Sequence, residues 1–336
     1  MLPISILDLA PVVEGATPAD ALRRSLDLAR HADQWGYNRF WVAEHHNMSG
    51  IASAATSVVI GYIAGGTPRI RVGAGGIMLP NHSPLVIAEQ FGTLETLYPG
   101  RIDLGLGRAP GTDQRTWQAM RRDPSASERF PQDVLELQVL LGPSQPGQAY
   151  HATPGTDTNV PLWILGSSLF GAQLAAMLGL PYAFASHFAP DALMPALEVY
   201  RARFQPSERW PRPYAMVGCG VIAAPTDAEA RHLFTSVQQR IIGMVRGARG
   251  LTQPPVDDID RLWTQPEKAH AERMLACSFV GSAETVRRGL QEFVARTGAD
   301  ELMVTCGVYD HDAKLRSYEM LATQIAPSLV KEPTFA

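Results

Sequence analysis

WVAEHH (41–46), GAGGIMLPNHSP (73–84), RIDLGLGRAPG (101–111) and LWILGSSLFGA (162–172) share one grammar. Each opens as an apolar, strand-like run and then breaks into Gly, His, Ser, Arg or Pro just before a helical pattern. In a (β/α)8 barrel such breaks all fall on the C-terminal rim of the strands, where active sites are built. Residues far apart in the chain would then converge on one mouth.

The same alternation extends outward. Strand-like runs cover 3–9, 39–43, 70–77, 101–106, 161–165, 181–185, 214–223 and 301–306. Helical patterns separate them. The first opens at Thr17-Pro18, a good N-cap and N1 pair, and stops at Gly36. Others cover 51–64, 84–97, about 131–141, 168–178 and 191–204, and one opens at Thr226 with the capping-box spacing to Glu229. The helix expected at 282–297 presents Val286, Leu290, Phe293 and Val294 on one face, and a final helix covers about 311–326. Strand–helix alternation predicts a parallel sheet, and eight such units favour closure. The expected fold is α/β, a single (β/α)8 TIM barrel formed by residues 1–336. The irregular stretches 108–130 and 247–272 are expected as long insertions in the C-terminal-face loops, the second as a mobile lid or disordered insertion.

Bulk properties agree with that reading. A bare barrel needs roughly 250 residues, so 336 leaves room for insertions. A formal charge of −4 argues against nucleic acid as a partner. Cys219, Cys277 and Cys306 form no CxxC pair, which suits a reducing compartment. MLPISILDLAPVVEG has no basic leader and is interrupted by Asp8 and Pro11, so it reads as a first strand, not a signal peptide. No apolar run reaches membrane-spanning length. A cytoplasmic location is expected.

Several rim residues have chemical potential. Neighbouring residues on a strand face opposite ways, so one of His45 and His46 should look into the mouth, where an imidazole can move protons near neutral pH. A structural, hydrogen-bonded strand-end histidine is an equal alternative. Glu44, His82 and His187 share the rim, but no metal site is expected: the first strand lacks His-x-His and no HExxH spacing occurs. Gly73-Ala74-Gly75-Gly76 either admits a flat ligand or marks tight packing. Residues 105–111 read GxGxxxG with Pro110 where a helix should start, so they are not a dinucleotide fingerprint. Arg108 is either a rim cation for a phosphate or a surface ion-pair partner. Ser167 and Ser168 open a helix whose free amides and dipole favour an anion, or they are simple N-caps. Taken together, Arg108 and the serines make a phosphate-bearing ligand the economical account. No Gly-x-Ser-x-Gly elbow is present.

In order along the chain, LDLAP, AEHHNMSGIASAATSV, GGIMLPNHSPLVIAEQFGTLETLYPGRIDLGLGRAPG, the serine turn through GLPYAFASHF, and VGSAETVRRGL resemble the bacterial luciferase-like flavin monooxygenase family. The resemblance implies a barrel that binds FMN at its rim, received as FMNH2 from a separate NAD(P)H:flavin reductase. Oxygen would add at the flavin C4a position to oxygenate a hydrophobic or aromatic small molecule, such as a polyketide or an aldehyde. It implies His45, with Glu44, as the catalytic residues. Gly75, Gly76 and Met78 would lie against the isoalloxazine, the glycine pair often being joined by a cis peptide. Arg108, Ser167, Ser168 and Gly171 would hold the phosphate. Gly107 stands where luciferase carries a reactive cysteine, so light emission is not implied. The helices at 51–64 and 84–97 resemble the family's dimerising helices, which implies a homodimer or a heterodimer with a relative. Ile51, Ala52, Ala54, Ala55, Val58 and Val59 would form the first surface, and Leu85, Ile87, Ala88, Phe91 and Leu94 the second. An F420-dependent oxidoreductase and a non-catalytic flavin-binding partner subunit are the alternative readings.

Overall fold

Strands and helices alternate through the computed structural model, which describes residues 2–109, 111–248 and 250–331. The first half holds β1 (Ile4–Asp8), α1 (Pro18–Trp35), β2 (Arg39–Val42), α2 (Thr56–Gly65), β3 (Arg71–Met78), α3 (Pro84–Leu97), β4 (Ile102–Gly107), α4 (Gln114–Ala119) and α5 (Phe130–Leu141). The second half holds β5 (Leu162–Gly166), α6 (Leu169–Met177), β6 (Tyr182–Phe184), α7 (Leu193–Arg203), β7 (Ala215–Ala223), α8 (Asp227–Val245), α9 (Gln265–Met274), β8 (Ser278–Gly281), α10 (Ala283–Thr297), β9 (Glu301–Thr305) and α11 (His311–Met320). All strand pairings are parallel, in the order β6-β5-β4-β3-β2-β1-β9-β7, and β6 pairs with β7 to close the ring. This is the (β/α)8 barrel that the alternation predicts.

Two apolar layers hold it. The larger lies between strands and helices, with Phe40, Phe91, Phe130 and Phe293 fully buried. The smaller fills the barrel itself with Leu7, Trp41, Ala43, Trp163, Ala183, Met216 and Met303. Gly73 gives Trp41 its space, since a Cβ there would stand 2.9 Å from the indole nitrogen. The barrel floor, at the strand N-termini, is ionic. Arg39 pairs with Asp103 and Glu301, each at 2.8 Å, and Arg71 pairs with Asp103 at 2.6 Å. The Arg39 guanidinium also lies 4.7 Å from the centroid of a Trp163 ring. Charges buried this deeply persist only when paired and hydrogen-bonded.

Some local expectations need correction. The helix expected at 51–64 begins at Thr56, because 51–55 is spent lacing loops together. Ile51 bridges to Pro11, Ala52 donates to the Ala10 carbonyl, and the Ser53 hydroxyl donates to the Ala43 carbonyl at 2.6 Å. Only half of the Thr226 capping box forms: the Glu229 amide donates to Thr226, while the Glu229 carboxylate takes Arg316 at 3.0 Å. β8 was not foreseen. It pairs with Gly220–Ala223 of β7, and Gly220 also faces Thr305 of β9, so β8 extends the edge that β6 occupies lower down. Its sequence signal is the Phe279-Val280 pair before Gly281.

The two irregular stretches carry structure of their own. Residues 108–130 hold α4 and a 3-10 turn at Pro124–Glu128. Residues 247–272 include the start of α9, which has a complete capping box between Thr264 and Glu267. Arg246 pairs with Glu267 at 2.7 Å. Thr252 bonds to the backbone of Val12 and Glu14, so this stretch is tied to the loop after β1, on the mouth side. Pro110 lies outside the described residues. No helix among the described residues is long and apolar enough to cross a membrane.

Candidate active site

Glu44, just past β2, is 1% exposed and accepts from every direction. The Met78 amide donates to it at 2.9 Å, Asn81 Nδ2 at 3.0 Å, and the His46 and His82 rings approach at 2.7 and 2.9 Å. Burial alone would raise its pKa. The hydrogen bonds from His46 and His82, the His82 charge and the Asn81 bond outweigh that, and the carboxyl falls to about 2. Glu44 is therefore an ionised anchor that ties the end of β2 to the turn after β3.

His45 faces the other way. Trp41 and Ala43 reach the barrel interior, and His45 continues that alternation. It lies near His187, which follows β6. The His187 ring occupies the space over Gly218, where a Cβ would stand 2.4 Å from Nδ1. Burial, then the Arg240 guanidinium and His45, push the His187 imidazole down to about 4. The rim triplet is thus divided, with Glu44 and His46 joined to His82 and His45 turned to the lumen. Among the described residues no group of three or more His, Cys, Asp or Glu could hold a metal ion.

Arg108 leaves the end of β4 and lays its guanidinium 4.1 Å from the centroid of the Phe170 ring, in the first turn of α6. Ser168 is the N-cap of α6, but its hydroxyl bonds none of that helix's amides. Ser167 and Ser168 are exposed beside it. Gly171 packs on Gly166, where a Cβ would meet the Gly166 Cα at 3.4 Å. One cation, two hydroxyls and a helix N-terminus make a donor set that fits a phosphate ester.

Gly75 and Gly76 are joined by a cis peptide. A Cβ on Gly76 would meet the Gly105 carbonyl at 2.5 Å, and one on Gly75 would meet Leu7 and Trp41. Gly75 is partly exposed, Gly76 buried. The Met78 side chain packs against Gly107 and Gly111. The flat, side-chain-free wall of β3 and the phosphate-fitting turn are compatible with a flavin mononucleotide.

Of the residues read as functional, the structure joins Arg108 to the serine turn and Glu44 to Met78. It separates Glu44 from His45. Arg240 was not singled out from sequence: a single arginine in a helix carries no local signal. Of the residues expected to form the dimer surface, Val59, Ile87, Ala88, Phe91 and Leu94 face the core. Val58 is 70% exposed, and Tyr62 and Val86 are exposed as well.

A closed parallel barrel with histidines, Glu44 and Arg108 at the strand C-termini has the architecture on which barrel enzymes build their sites. Residues 3–301 match the family model for luciferase-like monooxygenases, and the chain belongs to that family of oxidoreductases. A luciferase-like monooxygenase of Escherichia coli (strain K12) is 54% identical over 317 residues, covering 94% of this chain and 95% of the relative. The crystal structure of apo-MsnO8 superposes with a TM-score of 0.90 at 38% identity, covering 98% of this chain and all of that one. Two more distant structures share the fold. One is the oxygenating constituent of 3,6-diketocamphane monooxygenase of Pseudomonas putida in complex with FMN (TM-score 0.76, 18% identity, 99% of each chain). The other is an F420-dependent secondary alcohol dehydrogenase (TM-score 0.66, 16% identity, 98% of this chain and 99% of that one).

Proposed function

We propose that this protein is a monooxygenase that takes up reduced FMN from a separate NAD(P)H:flavin reductase and oxygenates a small hydrophobic or aromatic molecule. The observation that carries the reading is the contact of Arg108, from the end of β4, with Phe170 in the first turn of α6, the helix that Ser167 and Ser168 open, beside the glycines of the neighbouring β3. Arg108, Ser167, Ser168 and the α6 amides would hold the phosphate. Gly75, Gly76 and Met78 would border the ring system. Reduced FMN, when bound, would supply two electrons, so that one atom of O2 enters the substrate and the other leaves as water. His45, the lumen-facing imidazole, would move the proton that this chemistry requires. Glu44 would act at one remove, fixing the β2 and β3 ends on which the site is built.

The family barrel also serves F420-dependent enzymes, which makes hydride transfer with F420 the second reading. Rapid mixing separates the two. The protein with reduced FMN is mixed with oxygenated buffer and followed by absorbance. A transient spectrum, distinct from oxidised FMN and outlasting the free flavin reaction, is expected. Oxidation at the free-flavin rate, with tight F420 binding, would overturn the FMN reading. We further propose a homodimer through α2 and α3, whose outward residues Val58, Tyr62 and Val86 are large, apolar and exposed.

A further inference from the structure

Arg240 lies in the middle of α8 and is partly buried. Its guanidinium rests against Gly307, just past the end of β9: a Cβ there would stand 3.5 Å from Nη2 and 3.7 Å from Cζ. Four other arginines of the fold are spent on partners. Arg39 and Arg71 pair with carboxylates, Arg101 donates to the Ile70 and Ala64 carbonyls, and Arg201 donates to those of Thr297 and Gly298. Among the described residues Arg240 makes neither an ion pair nor a hydrogen bond. Burial lowers its pKa, with no other charged side chain contributing. A desolvated cation is costly unless an anion meets it.

A second orphan lies beside it. His187 Nδ1 is buried over Gly218 without a hydrogen-bond partner, close enough for the Arg240 charge to act on the ring. Gly218 continues the inward alternation of Met216, so the imidazole stands in the barrel lumen. Arg240, beside the end of β9, and His187, after β6, are thus near enough on the mouth side for the cation to act on the imidazole.

This pair is not the phosphate grip. Arg108 follows β4, and β9 is reached from β4 through β3, β2 and β1 one way or β5, β6 and β7 the other. The two arginines thus stand on opposite sides of the mouth. Arg108 has serines and a helix N-terminus to help with a dianion. Arg240 brings a single fixed charge, which matches a monoanion.

From this geometry we infer that Arg240, assisted by His187, binds an anionic group of the substrate, and that the substrate is a small organic carboxylate. The inference rests on the reading of the mouth as a flavin monooxygenase site only in calling the ligand a substrate. The anion site itself is independent of the flavin.

The test uses 19F NMR titration of the protein with 4-fluorobenzoate and with its neutral analogue 4-fluorobenzamide. The wild type should bind the benzoate more tightly than the benzamide. Arg240→Met should weaken benzoate binding at least about tenfold, the loss of one charge-assisted hydrogen-bonded pair. It should leave benzamide and FMN binding unchanged. Its Tm should not fall below that of the wild type, because no ion pair or hydrogen bond among the described residues is lost. Arg108→Ala should show the reverse pattern, with FMN weakened and benzoate untouched. Equal binding of the two probes, or a lowered Tm in Arg240→Met with benzoate affinity unchanged, would overturn the inference and make Arg240 structural. If benzoate behaves as expected but FMN binds to neither the wild type nor Arg240→Met, the anion site stands and the flavin reading falls.

Discussion

The guanidinium of Arg108 lies 4.1 Å from the centroid of the Phe170 ring, so the end of β4 is fastened to the first turn of α6. A cation held on an aromatic face keeps its orientation at modest energetic gain, about 0.5–1 kcal/mol at an exposed site. Here the contact brings the guanidinium to the first turn of α6, where under the proposed function cation and helix N-terminus would hold the phosphate together.

Arg108→Ala should accordingly weaken FMN binding by tenfold or more while changing riboflavin binding little, because riboflavin lacks the phosphate. Fluorescence quenching titrations with both flavins measure this. Equal losses for the two would move Arg108 out of the phosphate site.

Glu44 makes stability depend on pH. Its folded-state pKa, about 2, lies below the ordinary 4.5. A depressed carboxyl contributes stability that is complete above the unfolded value and is lost as pH falls through the folded one. The shift corresponds to about 3 kcal/mol at 1.36 kcal/mol per unit. Glu44→Gln should therefore unfold more easily in urea at pH 7, and the gap from wild type should narrow between pH 4.5 and 2. A gap that stays constant down to pH 3 would show that ionisation of Glu44 is not the source.

His45→Ala should leave FMN affinity within about twofold, since the phosphate donors are elsewhere, and should slow turnover by the 10²–10⁴-fold range typical of general acid–base groups. Binding titration and steady-state kinetics on one preparation separate these effects. Collapse of FMN binding would instead make His45 a wall of the flavin pocket.

Charge placed on the outward face of α2 should disrupt self-association. Val58→Asp and Tyr62→Glu change residues that face away from the core, so the fold should persist while sedimentation velocity shifts from dimer to monomer. An unchanged sedimentation coefficient in both variants would place any dimer contact on another face.

Much of this barrel is legible in the chain. Where one short-range rule governs a segment, the sequence reading and the structure coincide. α1 starts after the Thr17 cap, with Pro18 first in the helix, and ends at Gly36 in the left-handed region. α3 occupies Pro84–Leu97 as its apolar spacing predicts. The reading is weaker where a segment's partners are distant. Residues 51–55 have helix-forming composition but are drawn out by backbone bonds to the β1 and β2 loops. β8 is four residues long and gains its ladder only from the far end of β7. The dimer residues implied by the family resemblance divided between core and surface because helix rotation is set by packing on the barrel, which puts Val59 in and Val58 out.

The site follows the same division. Sequence by itself determined the strand–helix alternation, the rim position of Glu44, His45, Arg108, Ser167 and Ser168, and the family resemblance, because these depend on residue type and local periodicity, whereas Gly75 and Gly76 lie inside β3, which runs on to Met78. Only the tertiary structure decided which of them meet: that Glu44 gathers His46 and His82 while His45 turns to the lumen, and that Arg108 reaches α6. It alone decided that His187 Nδ1 is buried over Gly218 with no hydrogen-bond partner among the described residues, within reach of the Arg240 charge. Whether a charge is paired depends on what closure of the ring and the path of α8 bring within a few ångströms, and no local pattern in the chain encodes that distance.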